Sequence, residues 1–124
     1  MTGSAPKTAL AGRLLIAVAL IHAVFGVWFG RRALAGMLSD GVLNSVDSHG
    51  ERGLVFWFLM LSPLLVMLGQ LCLFLARRGI APPRWLGLEV LALTLCCALL
   101  MPVSGFWLLL PPAALLLRAS ALRP

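Results

Sequence analysis

Apolar residues in this chain come in long unbroken runs. Between Leu14 and Gly30 only His22 is strongly polar, and between Leu54 and Ala76 only Ser62 and Gln70 are. From Trp85 to Leu117 the sole charged residue is Glu89. Crossing about 30 Å of hydrocarbon takes roughly 20 helical residues. Runs of this length without a polar face predict membrane spans rather than amphipathic core helices. The first span is expected at 12–30. The second is expected at 53–76, closed by Arg77-Arg78-Gly79 and Pro82-Pro83. The apolar stretch after Trp85 is too long for one span and short for two. Pro102 divides it, because proline disfavours helix in the residue before it and has no N–H to donate. Ser104-Gly105 completes a tight turn. The third and fourth spans are then 85–101 and 103–117, both thin. Pro111-Pro112 predicts a kink or break inside the fourth.

Charge chooses between three spans and four. With four, Lys7, Arg13, Arg77, Arg78, Arg84, Arg118 and Arg123 share one side, and Arg31, Arg32 and Arg52 share the other. Seven against three is a positive-inside bias. With three spans, Arg118 and Arg123 change sides and the count becomes five against five. Four spans with both termini cytoplasmic is therefore the expected topology. Trp28, Trp57 and Trp107 fall towards the outer side and Trp85 at the inner interface, as an aromatic belt requires. A secretory signal peptide competes for the first span, with Lys7 and Arg13 as its basic region and Ala33-Leu34-Ala35 as its cleavage site. Its apolar run exceeds the usual roughly 7–15 residues, and Arg31-Arg32 stands just before the cut.

Composition narrows the class. The 124 residues make one domain, 1–124. A mean hydropathy of +1.03 excludes a disordered chain and all but excludes a soluble one. Four spans and short loops use the whole length, so any function sits in the bundle or its loops. The net charge of +6 does not point to nucleic acid. The basic residues flank the apolar runs instead of forming a patch, which suits topology signals and anionic-lipid contacts. Nine Arg against one Lys, with much Ala, Leu and Gly, suggests a GC-rich bacterial genome and hence the bacterial cytoplasmic membrane. Membrane lipids are the expected partners, with a homo-oligomer or another membrane protein as a further possibility. No cofactor is expected. Cys72, Cys96 and Cys97 lie in apolar runs without metal-ligand spacing and are read as packing residues.

The longest loop, Arg31 to Arg52, carries Leu34, Met37, Leu38, Val42 and Val46 at helical spacing, with Asp40, Asn44 and Asp47 on another face. That pattern predicts a short amphipathic helix on the outer membrane surface, weakened by Gly36 and Gly41. Ser48-His49-Gly50-Glu51 matches a capping box at the start of the second span, with Ser48 and Glu51 satisfying free amides. Asp47, His49 and Glu51 could instead hold a metal ion. They form one short run without a second ligand group, so no metal site is expected.

An ionisable residue inside a span costs roughly 2.5–3.5 kcal/mol on insertion scales and raises a functional question. His22 shares a helical face with Gly26 and Gly30. These two form a small-xxx-small surface, extended by Ala19 and Ala23, that admits a close neighbouring helix. His22 is therefore expected to point into the bundle. It is either a neutral imidazole bonded to a neighbouring helix or a histidine that carries a proton or binds a ligand. Glu89 is expected to snorkel and pair with Arg84 or Arg78, with Gln70 at a depth that could bond it. Ser62 lies near the depth of His22. A candidate ligand cavity therefore joins His22, Ser62 and Asn44, with its mouth beside Asp47 and Arg52.

The segments IHAVFG (21–26), DGVLNSVD (40–47), RGLVFWF (52–58) and MPVSGFWLLLPP (101–112) resemble a bacterial family of small four-helix membrane proteins known only as a domain of unknown function. The resemblance covers nearly the whole chain, most distinctively at MPVSGFWLLLPP. It implies an all-α integral membrane four-helix bundle, and it implies no reaction, substrate or ligand. Small multidrug exporters share the length and four spans. Their essential glutamate sits in the middle of span one, where this chain has His22, which argues against proton-coupled cation export. Four-helix proteins linked to quinone or thiosulfate oxidation share the architecture but no motif. His22 and His49 are the only histidines, and His49 is in a loop, so a two-histidine haem site is not expected. There is no nucleophile elbow or phosphate loop. The expected function is that of a non-enzymatic binder of a lipid or small apolar ligand, or a membrane-complex subunit. The alternatives are a small oligomeric transporter and a membrane enzyme using His22.

Overall fold

The computed structural model describes residues 3–46 and 50–120. They form four helices: α1 (Ser4–Ser39), α2 (Gly50–Arg77), α3 (Arg84–Leu100) and α4 (Leu110–Ser120). A 3-10 turn, Gly105–Leu109, leads into α4. There are no strands among the described residues. α1 and α2 are long and apolar enough to cross a membrane, and Gly105–Ser120 is a shorter apolar helical stretch.

The helices do not close into a ring. α2 packs on α1, α1 on α4, and α4 on α3, so α2 and α3 stand apart at the two ends of a row. Leu15 and Ala19 of α1, Leu65 of α2, Val90 of α3, and Ala113 and Leu116 of α4 meet in one apolar core. Two buried hydroxyls bond back to their own helices. Thr8 Oγ1 donates to Ser4 O at 2.8 Å and Thr94 Oγ1 to Val90 O at 2.6 Å.

Glycines set the α1–α2 distance. A Cβ at Gly69 would lie 2.7 Å from Gly12 O, and one at Gly12 would lie 2.7 Å from Gly69 O. The two backbones touch there, and the seam then continues past Gly26 against Leu59 and Gly30 against Val55.

The chain departs from expectation at two joints. Among the described residues no separate amphipathic helix follows α1. Residues 34–39 continue α1 itself, because Ala, Leu and Met favour helix and nothing in Arg31–Ser39 stops it. The stop comes at Gly41, whose φ of +96° reverses the chain, followed by Asn44 at φ 55°. Val42 and Val46 therefore share no helical face with Leu34. Asp47, Ser48 and His49 lie outside the described residues, and with them the capping box and the metal alternative. Glu51 is exposed in the first turn of α2.

The second joint is the proline pair. Pro111 and Pro112 open α4 rather than kinking its middle. A proline in the first turn loses no helical bond, and its fixed φ suits the start. Upstream the chain approaches through the 3-10 turn, with Leu110 N bonded to Trp107 O. α3 ends where Pro102 demands it. Met101 leaves the helical region (φ −133°, ψ 73°) while its N–H still reaches Cys97 O.

Candidate functional site

The turn between α3 and α4 sits beside the middle of α1. Met101, Ser104 and Gly105 line the same cavities as Val18 and His22 of α1 and Phe58 of α2. From His22, α1 runs on for about 25 Å beyond that turn. A step results, in which two long helices rise past a short hairpin.

His22 stands in the corner of the step. Its Nε2 lies 2.8 Å from Phe58 O, and its ring stacks on that of Phe58 with centroids 3.9 Å apart and planes 20° from parallel. A carbonyl only accepts, so this bond requires the hydrogen on Nε2. In the neutral imidazole Nδ1 then carries a lone pair, and it has no protein partner among the described residues. Pro63 lies one turn further along α2. It withholds the N–H that Leu59 O would receive and crowds the preceding turn, where Phe58 O is met from across the seam.

Two spaces open beside the imidazole. A small one of about 80 Å³ reaches inward to Leu61, Leu65 and Leu109. A larger one of about 390 Å³ runs outward along Ile21, Phe25 and Phe29 on one side and Met101, Val103 and Leu108 on the other. No charged side chain lines either. The polar side chains are His22 and Ser104, whose Oγ accepts from Phe106 N at 3.4 Å and keeps its own hydrogen to donate. Trp107 Nε1 donates to Pro102 O at 2.9 Å and ties the turn across its base.

The residues grouped from sequence separate into three places. His22 lines the cavity. Ser62 is buried one turn from Phe58, with its Oγ unpartnered among the described residues, but it does not line the cavity. Asn44 is exposed in the loop after α1. Arg52 is buried beneath Gly36, where it donates to Ser45 O at 3.1 Å and to Asp40 Oδ2 at 2.5 Å. That end lies about 20 Å along α1 from His22, so Asn44 and Arg52 do not reach the cavity. Asp47 is outside the described residues.

Glu89 and Gln70 are both exposed and do not meet. They sit on α3 and α2, the two ends of the row. Glu89 is not paired with Arg84 or Arg78, because the ion pair among the described residues is Arg52 with Asp40. Arg84 is five residues before Glu89, which turns the two side chains about 140° apart on the helix. Arg78 stacks over Phe74 instead, 5.2 Å from its centroid. Cys72 is buried, Cys97 half-buried and Cys96 exposed, all as free thiols. No group of three potential metal ligands occurs among the described residues.

The sequence reading divided Met101–Leu108 between a turn at Ser104-Gly105 and the start of a fourth span, and gave the segment no part in a cavity. The signal was available in Phe106 and Trp107, two aromatic residues set directly after Ser104-Gly105 where a plain turn needs none. No curated protein matches this chain, and no solved structure matches it. A family model matches residues 6–123, nearly the full length, and the chain belongs to that family of unknown function, DUF6463.

Proposed function

We propose that this chain is a four-helix integral protein of the bacterial cytoplasmic membrane that binds, without transforming, a neutral amphiphile in the step beside His22. Large apolar side chains support the membrane setting. Val24, Trp28, Phe29, Leu54, Trp57, Leu64 and Met67 are each more than half exposed, on two helices of spanning length. Water would not tolerate so continuous an apolar surface. The basic residues of the chain termini and of the α2–α3 loop support a cytoplasmic side for that end. The step then opens towards the outer leaflet. Irregular backbone at membrane depth is tolerated where it lines a cavity, and Met101–Gly105 stands in that position.

The observation that carries the ligand reading is His22 itself. Its Nε2 is committed to Phe58 O, and Nδ1 offers a lone pair beside a cavity of about 390 Å³. A hydroxyl on the ligand satisfies Nδ1, and Ser104 can donate to an oxygen on the same head. The rest of the ligand lies among Phe25, Phe29, Phe58 and Met101. A charged head would find no counter-charge there and would stay unpaired at high cost. The volume falls in the usual range for small-molecule sites, roughly 300–1,000 Å³.

Native mass spectra of protein released from lipid nanodiscs test this. Wild type is expected to carry one discrete mass beyond bulk lipid, and His22→Ala to lose it while keeping its bulk lipid. A wild-type spectrum holding only bulk lipid would rule out the ligand, and alkaline carbonate extraction of the membranes would test the setting separately.

A further inference from the structure

We infer that the end of the molecule carrying the α2–α3 loop is a docking surface for anionic phospholipid headgroups, and that Arg77, Arg78 and Arg84, which flank that loop, dominate it. The inference rests on the membrane reading above and is independent of His22. α1 starts, α2 ends, α3 starts and α4 ends at this one end. Six basic residues, Lys7, Arg13, Arg77, Arg78, Arg84 and Arg118, are gathered there, and none is ion-paired among the described residues. Glu89 is the one acidic residue nearby, and it is exposed and turned away from Arg84. The other end is nearly balanced. There Arg31, Arg32 and Arg52 face Asp40 and Glu51, and Arg52 is already consumed by Asp40.

Chemistry selects the partner. An arginine fork meets a phosphodiester with two parallel hydrogen bonds, which a point charge cannot do. Arg78 is exposed, with its guanidinium carbon over the Phe74 ring, 5.2 Å from the centroid. Trp85 and Ile80, 58% and 48% exposed, sit at the same level and suit the boundary between headgroup and acyl chain. A headgroup layer can answer all the exposed cations at once, with each contact worth about a fivefold preference for an anionic over a neutral surface.

The full-length protein is placed in nanodiscs of equal parts phosphatidylcholine and phosphatidylglycerol, and the lipids it retains on release are counted by native mass spectrometry. Wild type is expected to retain at least about five phosphatidylglycerol molecules for each phosphatidylcholine. Arg77→Gln/Arg78→Gln/Arg84→Gln should fall to near the disc ratio, whereas Arg31→Gln/Arg32→Gln should keep the wild-type preference. Equal retention in wild type and the triple variant would overturn the proposal. So would loss of the preference in both variants alike, which would reflect total charge and not these three arginines. A protein that never enters the discs would refute the membrane reading itself.

Discussion

Gly69→Val is expected to be the most damaging single substitution along the α1–α2 seam, costing about 3 kcal/mol or more, at the top of the range for an overpacked site. The reason is what the new atoms meet. A Cβ at Gly69 would lie 2.7 Å from the carbonyl oxygen of Gly12 and 2.6 Å from Ile16 Cγ1. Ile16 can rotate, but a backbone oxygen inside a helix moves only if the helix does. Gly26 is the contrasting case. Its added Cβ would sit 2.4 Å from Leu59 Cδ2, the far end of a flexible side chain, and 3.0 Å from the Phe58 ring, with no backbone atom as near. Gly30 is intermediate, because it faces Val55, whose branched carbon has little freedom to turn away. Unfolding of detergent-solubilised protein, followed by circular dichroism against added SDS, should rank Gly69→Ala as most costly, Gly30→Ala next and Gly26→Ala least. Close packing is the main force joining helices in lipid, so the ranking should reappear in nanodiscs. A larger loss for Gly26→Ala than for Gly69→Ala would mean that the helices cross elsewhere.

The same seam shows what the sequence makes legible. Gly26 and Gly30 declare themselves because they stand four apart on the face of His22. Gly12 and Gly69 are isolated glycines 57 residues apart (69 − 12). They become a pair only once the antiparallel register of α1 and α2 is known. The breaks at Pro102 and Pro111 are local chemistry, and local sequence predicts that something happens at both. Whether Pro111-Pro112 kinks a helix or starts one depends on the 3-10 turn before it, which no periodicity announces. The inward turn of His22 follows from its glycine-bearing face. Its partner does not follow, because a backbone carbonyl has no side chain to read, and Pro63 is the single local hint. The expected Glu89 pairings assumed that a charge near the interface finds the nearest arginine. They failed on the angle around α3 and on a row in which α2 and α3 do not pack.

Arg52→Ala is expected to release the loop after α1 and to lower stability by about 2–3 kcal/mol, the scale of lost hydrogen bonds to a charged group. Arg52 is buried, while the Asp40 side chain is 60% exposed. Water and the Ser39 hydroxyl, which donates to Asp40 Oδ1 at 3.3 Å, therefore compensate the carboxylate, and the loss stays below that of a fully buried pair. Ser45 O also loses its donor, so the loop should become sensitive to limited proteolysis between residues 40 and 46 without any change in helix content. Arg52→Lys should restore little, because one ammonium cannot span both Ser45 O and Asp40 Oδ2 as the guanidinium fork does. Gly36 supplies the sharper test. A Cβ there would lie 2.8 Å from Arg52 Nη2, so Gly36→Ala should dislodge the guanidinium and reproduce part of the Arg52→Ala loss. With Arg52 already removed that obstacle is gone. Alanine, a better helix former than glycine by roughly 0.5–1 kcal/mol, should then be neutral or mildly stabilising at position 36. The two substitutions should thus be strongly non-additive in a double-mutant cycle. An equal penalty for Gly36→Ala in both backgrounds would mean that α1 keeps this glycine for a reason other than the passage of Arg52.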